Sequence, residues 1–233
     1  MKHRVRAGLA AAAALLVAAC DIVEPSENVN QDRIWTDYEL HYDESEDVTS
    51  ARATFRFGGS TGTLLELSDE SFVAVNGEEL TRRTQPVTNV TYYEREFAGL
   101  EPDATFEFVD VEGTSYLNDI ALRSIAVSSG AGPIDNDNSY EVRWSGQPLG
   151  AGEEVGAVLY RIFGGVALAV FTQRDVGATS IILDRAQLQN VEPGEAMLVL
   201  ERRTAGTLSE PTEVGGRISA RYTAAPVRVE VRE

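Results

Sequence analysis

The stretch Ala51-Arg52-Ala53-Thr54-Phe55-Arg56-Phe57 alternates apolar and polar side chains. Successive side chains of a β-strand point to opposite faces of a sheet, so this period of two residues places the apolar set on one face. That face would cover a core, and Arg52 and Arg56 would meet solvent on the other face. The stretch therefore predicts a half-buried β-strand.

Short alternating runs of this kind, separated by turn residues, continue from residue 35 to the end of the chain. Asn76-Gly77 is a strong hairpin signal, and Gly164-Gly165 separates two further runs. No segment keeps a period of 3.6 residues, and only 184–188 resembles a helical turn, with Asp184 as its N-cap. The sequence thus predicts an all-β chain, with strands that include 38–42, 51–57, 71–75, 87–97, 105–109, 115–122, 140–144, 155–163, 166–172, 179–183, 196–201, 216–222 and 227–231.

Two stretches of similar sequence predict how these strands are organised. Leu100-Glu101-Pro102-Asp103-Ala104-Thr105-Phe106 and Val191-Glu192-Pro193-Gly194-Glu195-Ala196-Met197 each enter a strand through an apolar residue, a glutamate and a proline. The spacing resembles the Leu-x-Pro-x-x-x-Tyr corner of fibronectin type III domains, although neither stretch has the tyrosine whose hydroxyl stabilises such corners. The resemblance implies two consecutive immunoglobulin-like β-sandwich domains, with the leading apolar residue of each stretch in a core. The boundary between 35–122 and 123–233 is placed before the strand expected over 124–127 and the small-residue stretch 128–133. The alternative is two unrelated turns.

The amino terminus has the pattern of an export signal. Lys2, Arg4 and Arg6 precede an apolar run over 8–19 that ends in small residues. The run is shorter than the ~20 residues that a membrane-spanning helix needs. The pattern predicts a secretory signal peptide over residues 1–19.

The end of this signal, Val17-Ala18-Ala19-Cys20, contains the only cysteine of the chain. It resembles the lipobox of bacterial lipoproteins. The resemblance implies cleavage before Cys20, acylation of Cys20 and attachment to a membrane of the cell envelope, with the chain facing the periplasm or the exterior. Residues 20–34 are polar and aperiodic and would form a flexible tether. Asp21 resembles an enterobacterial inner-membrane retention signal, but the choice of membrane stays open; the alternative is an ordinary signal with an incidental cysteine.

The composition restricts the partners. Aspartate and glutamate number 37 against 20 basic residues, which gives a net charge of −17. Losing the three basic residues of the leader would make the chain more negative and leave it without lysine. Salt adaptation and a GC-rich genome both account for such a composition. A surface of this charge repels phosphates, so the sequence predicts no nucleic-acid partner, and the membrane contact would depend on the lipid.

Catalytic motifs are weak. His3 would leave with the leader, so His41 is the one histidine available for acid–base chemistry, and a zinc site of histidines and cysteines cannot be assembled. Gly58-Gly59-Ser60-Thr61-Gly62 matches a nucleophile elbow, but that motif requires a following helix and a histidine downstream. The stretch is predicted to be a hairpin loop instead.

Two acidic loops are candidate calcium sites. Residues 43–47 contain four carboxylates, and Asp135-Asn136-Asp137-Asn138 contains two carboxylates and two amides. Calcium requires six to eight oxygen ligands, and we favour Asp135 and Asp137 because alternate oxygens of a tight turn can converge. The alternative is a solvated polar loop.

Aromatic residues are the remaining candidates for a binding site. Trp144 alternates with Tyr140 and Val142 and is expected in a core, whereas Trp35 precedes the first predicted strand and could stack on a sugar. Of Tyr92-Tyr93, one ring must face outward. The sequence favours a non-catalytic, lipid-anchored binding, assembly or scaffolding module with a protein or glycan partner. The alternatives are a carbohydrate-binding accessory lipoprotein and a glycoside hydrolase with two carboxyl groups ~5–9.5 Å apart.

Overall fold

The computed structural model describes residues 23–88, 90–128, 131–162 and 165–233. The predicted signal peptide 1–19, Cys20 and Gly164 lie outside the described residues. The first ten strands are β1 (Glu24–Pro25), β2 (Ile34–Asp43), β3 (Val48–Phe57), β4 (Thr63–Glu66), β5 (Phe72–Val75), β6 (Glu78–Glu79), β7 (Thr81–Thr84), β8 (Thr91–Ala98), β9 (Asp103–Val109) and β10 (Ser115–Ala121). They are followed by β11 (Ala126–Val127), β12 (Ile134–Asp135), β13 (Tyr140–Ser145), β14 (Glu153–Arg161), β15 (Ala167–Gln173), β16 (Ser180–Leu183), α1 (Arg185–Leu188), β17 (Gly194–Gly206), β18 (Gly216–Thr223) and β19 (Val227–Arg232).

Strands β1 to β10 form a first sandwich. In one sheet β3 pairs with β2 and β8, and β7 extends it beyond β8; the other sheet has the order β10-β9-β5-β6. The alternating stretch 51–57 explains how β3 packs against the other sheet. Ala51, Ala53 and Phe55 are fully buried, while Arg52 on the opposite face is exposed. Aromatic rings from the two sheets meet in the core, with centroids 4.8 Å apart for Phe55 and Phe108.

Strands β11 to β19 form a second sandwich. One sheet contains β15, β14, β17, β19 and β12, and the other contains β11, β13 and β16. Val142, Leu159, Leu183 and Leu198 belong to the buried core, and Trp144 is 5% exposed, as the alternation predicts. The all-β sandwich class predicted from the sequence is confirmed.

A single sheet joins the two sandwiches. Strand β18 pairs antiparallel with the C-terminal half of β17. The whole length of β18 also pairs parallel with β2, from Thr36 opposite Gly216 to Asp43 opposite Thr223. We call this contact the β2–β18 junction. Its inner face is buried, and the rings of Tyr42 and Tyr222 lie 5.1 Å apart there. Because strands from 35–122 and from 123–233 share a sheet, the division into those two domains stays a prediction.

The connection between β17 and β18 also holds the sandwiches together. The hydroxyl of Thr212 donates a hydrogen bond of 2.7 Å to the carbonyl of Ile34 in β2. The backbone N–H of Leu117 in β10 donates to the carboxylate of Glu210 at 2.7 Å. The side chain of Asn118 donates to the carbonyl of Glu210 and accepts from its backbone N–H. The second sandwich therefore contacts both sheets of the first.

The segment before β2 differs from the flexible tether predicted for 20–34. Strand β1 pairs with β4, and the side chains of Ser26 and Gln31 are buried. Gln31 donates to the carbonyls of Ser26 and Val29, both at 2.8 Å. These contacts satisfy the amide N–H groups of Gln31, whereas its Oε1 has no hydrogen-bond partner within the described residues, and polar composition alone did not reveal this packing.

The two corner stretches differ in packing. Val191 is 1% exposed and fills the core as the resemblance implies, whereas Leu100 is 41% exposed and does not. The following strands also lie in different sheets, with Phe106 in β9 and Met197 in β17.

A buried ion pair fixes the loop before β14. Arg202 is 2% exposed, pairs with Glu153, and donates to the carbonyls of Gln147 at 2.7 Å and Pro148 at 3.0 Å. Burial disfavours the carboxylate of Glu153, but hydrogen bonds from Arg202 and the N–H of Gly150 outweigh it and lower the pKa of Glu153.

The described residues include no helix long and apolar enough to span a membrane.

Gly216→Ala tests the β2–β18 junction. A Cβ at residue 216 would lie far inside van der Waals contact of the Thr36 carbonyl oxygen, and 2.6 Å from Leu208 Cδ1. We expect a loss of about 1–3 kcal/mol in the free energy of unfolding, measured by urea denaturation. Gly156→Ala is the matched control, because its Cβ would meet its nearest neighbour, the Phe171 oxygen, at 3.8 Å. Equal stability of the two variants would contradict the tight approach of β18 to β2.

Candidate functional site

The candidate site is a groove on the outer face of the shared sheet. Tyr38 and Leu40 of β2 point into the core, so the alternate residues Asp37 and Glu39 point outward. The groove has a volume of about 420 Å³, and we call it the charged groove. It is lined by Asp37, Glu39, Arg52, Thr54, Arg203, Arg217, Ser219, Ala220 and Arg221.

The β2–β18 junction forms the floor of the charged groove. Strands β3 and β2 supply one wall, and β18 and β17 supply the other. In register, Asp37 lies opposite Arg217 and Glu39 lies opposite Ser219 across the junction. The groove therefore exists only while the two sandwiches share a sheet.

Ion pairs hold the arginine side chains in place. Arg217 binds both carboxylate oxygens of Asp37 through one edge of its guanidinium, at 3.0 Å from Nε to Oδ1 and 2.6 Å from Nη2 to Oδ2. Arg221 lies 3.6 Å from Glu39. Exposed pairs of this kind contribute about 1 kcal/mol or less to stability, so their main effect is to orient the guanidinium groups.

Two arginines face each other across β17 and β18. Arg203 and Arg221 are direct register partners, an arrangement that repulsion disfavours. Carboxylates offset it, since Arg203 also contacts Glu201 at 2.8 Å and Glu154 at 3.8 Å. The arrangement concentrates N–H donors at one end of the groove.

His41 lies beside the groove at the junction. Its Nδ1 is 3.3 Å from Arg221 Nη2 and its Nε2 is 3.0 Å from the hydroxyl of Thr223. Because a guanidinium only donates, Nδ1 must accept, and the neutral ring then carries its proton on Nε2. Burial and the charge of Arg221 lower the pKa of His41, against the opposing charges of Glu39, Asp43 and Glu201.

Two aromatic residues share the outer face with the groove. Trp35 is the second residue of β2, inside the first long strand rather than before it, and is half-buried. The ring of Tyr92 lies 4.4 Å from the guanidinium carbon of Arg52, while Tyr93 is buried. One tyrosine of the pair thus faces outward, as the alternation requires.

The predicted calcium ligands are engaged with their own surroundings. Asp135 accepts hydrogen bonds from the N–H of Asp137 at 2.9 Å and from the amide of Asn138 at 2.7 Å. Asp137 lies 3.6 Å from the guanidinium of Arg185, a cation that competes with calcium. Within the described ranges, no group of three or more acidic, histidine or cysteine side chains is placed to hold a metal ion. A calcium role for Asp135 and Asp137 stays an untested prediction.

The other sequence candidates serve the fold. Residues 58–62 connect β3 to β4 as a hairpin loop, and Thr63 begins a strand where a nucleophile elbow needs a helix. In the loop 43–47, Asp47 accepts a hydrogen bond from the hydroxyl of Tyr42 at 2.9 Å, which raises the pKa of Tyr42 to about 12. Sequence reasoning missed the charged groove, because its walls meet only through the junction.

No family model matches the chain, and no curated protein matches it. Among solved structures, it is similar to the Bacteroides ovatus mixed-linkage glucan utilization locus SGBP-B in complex with a mixed-linkage heptasaccharide (13% identity, 79% of this chain, 53% of that chain, TM-score 0.24). It is also similar to a tetra-tandem repeat in the extending region of a large adhesion protein (14%, 84%, 49%, TM-score 0.27) and to the Yersinia pseudotuberculosis adhesin InvE (10%, 88%, 60%, TM-score 0.22). The chain spans about half to three fifths of the length of these matched chains. Similarity this low carries no functional conclusion.

The environment of His41 predicts a pH dependence. The pKa of His41 in the folded chain lies below its ordinary value of 6.5. Between these two pKa values the unfolded chain binds more protons than the folded chain. The stability of the fold is therefore lost as the pH falls from 6.5 through the folded pKa. We expect the wild type to lose more unfolding free energy than His41→Gln between about pH 7.5 and about pH 5, measured by urea denaturation. The glutamine side chain of this variant would retain a donor and an acceptor without titrating, so it controls for the hydrogen bonds. Identical losses in both proteins would contradict a lowered pKa.

Proposed function

We propose that the chain is a lipid-anchored, non-catalytic binding module of the bacterial cell envelope, and that the charged groove is its binding surface. The observation that carries this proposal is the position of the groove across the junction. Its floor is a hydrogen-bonded sheet with a buried underside, so the polar side chains above it are held on rigid elements.

The lipid anchor is inferred from the lipobox resemblance, and the fold limits the distance between the acylated cysteine and the first sandwich. Strand β1 begins at Glu24, so only residues 21–23 separate Cys20 from the first sandwich. An extended chain covers ~3.5 Å per residue, which limits the distance from the acylated cysteine to β1 to about 14 Å. The proposal therefore has the first sandwich close to the membrane surface, on its periplasmic or exterior side.

The glutamates whose pKa values are displaced do not have the property of a catalytic acid. A glycoside hydrolase needs a carboxylic acid whose pKa is raised. The glutamates with displaced pKa values in the described ranges, Glu141, Glu153 and Glu230, are shifted downward. Hydrogen bonds from Ser180 and Arg143 lower the pKa of Glu141, and Arg232 lowers that of Glu230.

A carbohydrate-binding accessory lipoprotein is the second candidate, and the outer-face aromatics favour it. Trp35 and Tyr92 are half-buried on the same sheet face as the groove. Sugar rings stack on aromatic faces, and their hydroxyl groups bond to carboxylates and arginines. This face offers both kinds of contact.

Acylation of Cys20 is tested by metabolic labelling with a palmitate analogue. We expect label in the wild type and none in Cys20→Ala, because the chain has no other cysteine. The unlabelled variant should also move from the membrane fraction to the soluble fraction, since two or more acyl chains are required for stable anchoring. Ser60→Ala is a control that leaves the thiol intact and changes an exposed side chain in the loop 58–62. Equal labelling of wild type and Cys20→Ala would contradict the anchor.

A further inference from the structure

We infer that strand β15 pairs with the β15 strand of a second copy of this chain, so that two molecules share one continuous sheet. The surface involved is separate from the charged groove and independent of the proposed ligand binding. Strand β15 pairs with β14 and with no other strand in the described part of the chain, so its second side is a sheet edge. The N–H and C=O groups that point outward from such an edge are matched by an added strand.

Strand β15 is the longest described strand without a charged side chain. Its sequence is Ala167-Leu168-Ala169-Val170-Phe171-Thr172-Gln173, whereas the other uncharged strands, β5, β11 and β16, have four residues or fewer. The chain carries a net charge of −17, so two copies repel each other over most of their surfaces. A neutral strand lets two copies approach closely, because no like charges then lie opposite each other.

Exposed apolar side chains lie along this edge. Val166 and Val170 are 61% and 56% exposed, and Val176 in the loop after β15 is 71% exposed. Val158 of β14 lies opposite both Val170 and Val199, so three valines form a row across β15, β14 and β17 on the outer face of the sheet. Contact with a second copy would remove the exposed end of this row from water.

The other edges among the described strands have features that oppose strand addition. Strand β7 contains two adjacent arginines, and β6 consists of two glutamates. Strands β1, β11 and β12 have two residues each, β16 has four, and the edge of β10 is covered where the Leu117 N–H donates to Glu210. Charges, short strands and covering loops are the usual protections of an edge. Strand β15 has seven residues and no charge, which distinguishes it from all of these edges.

An antiparallel pair around a two-fold axis at Val170 would use the whole strand. Ala167 would then lie opposite Gln173 of the second copy, and all seven residues would be paired. The next residue, Arg174, is already paired with Glu154 of its own chain, so its charge is offset at both ends of the new contact. Because the same strand is used by both molecules, the contact closes as a dimer and leaves neither β15 strand with a free edge.

Cysteine scanning of β15 tests this pairing in the full chain. The residue on the two-fold axis lies opposite its own copy, with Cα atoms about 4.5–5.5 Å apart, a separation that a disulfide can span. On oxidation in detergent, we expect Val170→Cys to give the most disulfide-linked dimer, with less for Leu168→Cys and Thr172→Cys. Val87→Cys is the matched control, because Val87 is 92% exposed but lies in the turn between β7 and β8. The wild type, whose one cysteine is Cys20, gives the background.

Val170→Lys tests the association without a covalent bond. Two lysines would face each other across the two-fold axis, so we expect the dimer dissociation constant to rise about tenfold in sedimentation of the full chain in detergent. Val87→Lys makes the same change outside the edge and should associate as the wild type does. Because Val170 is exposed, the free energy of unfolding of Val170→Lys should stay close to that of the wild type, which separates lost pairing from lost folding.

The opposite outcomes are equally clear. A monomeric wild type, together with equal cross-linking of Val170→Cys and Val87→Cys, would overturn the inference. Cross-linking of Val170→Cys in cells to a different protein, with none to a second copy, would show that the edge binds a foreign strand and would also overturn it. Should Val170→Lys fail to fold, the cysteine scan decides the question alone.

Discussion

The parallel pairing of β18 with β2 is the constraint on which the rest of the structure depends. Eight residue pairs, from Thr36 with Gly216 to Asp43 with Thr223, convert two edge strands into the interior of one sheet. Edge strands expose unpaired N–H and C=O groups, so this pairing satisfies both edges at once. The apolar faces of both strands then join the same buried layer, in which Tyr42 packs against Tyr222.

The same constraint creates the candidate site. Side chains alternate along each strand, so burying Tyr38 and Ile218 beneath the sheet forces Asp37 and Arg217 to its outer face. Two sandwiches joined by a flexible linker would have these charges on separate surfaces. Here the stabilising contact and the proposed binding surface are the two faces of one sheet, and His41 lies on the outer face beside the groove.

The local pattern predicted most of the strands, because alternation is encoded in neighbouring residues. Ala51 to Phe57 falls within β3, and the strand expected over 216–222 is β18 almost unchanged. The pairing of β2 with β18 was not predictable, because its partners are 180 residues apart and a parallel register leaves no local turn signal. The groove was missed for the same reason. Burial of Ser26 and Gln31 was missed because hydrogen bonds to backbone groups make polar residues compatible with a packed segment. The backbone partner of Ser26 is the distant N–H of Ser68, and those of Gln31 are nearby carbonyls.

Amide hydrogen exchange along the full chain tests the junction most directly. A strand paired on both sides exchanges slowly, and an edge or a loop exchanges quickly. The account predicts that residues 34–43 and 216–223 are protected to the same extent as β17 in the second sandwich. Exchange at 216–223 as fast as in the connection 207–215, with β17 still protected, would contradict the shared sheet and the groove built on it.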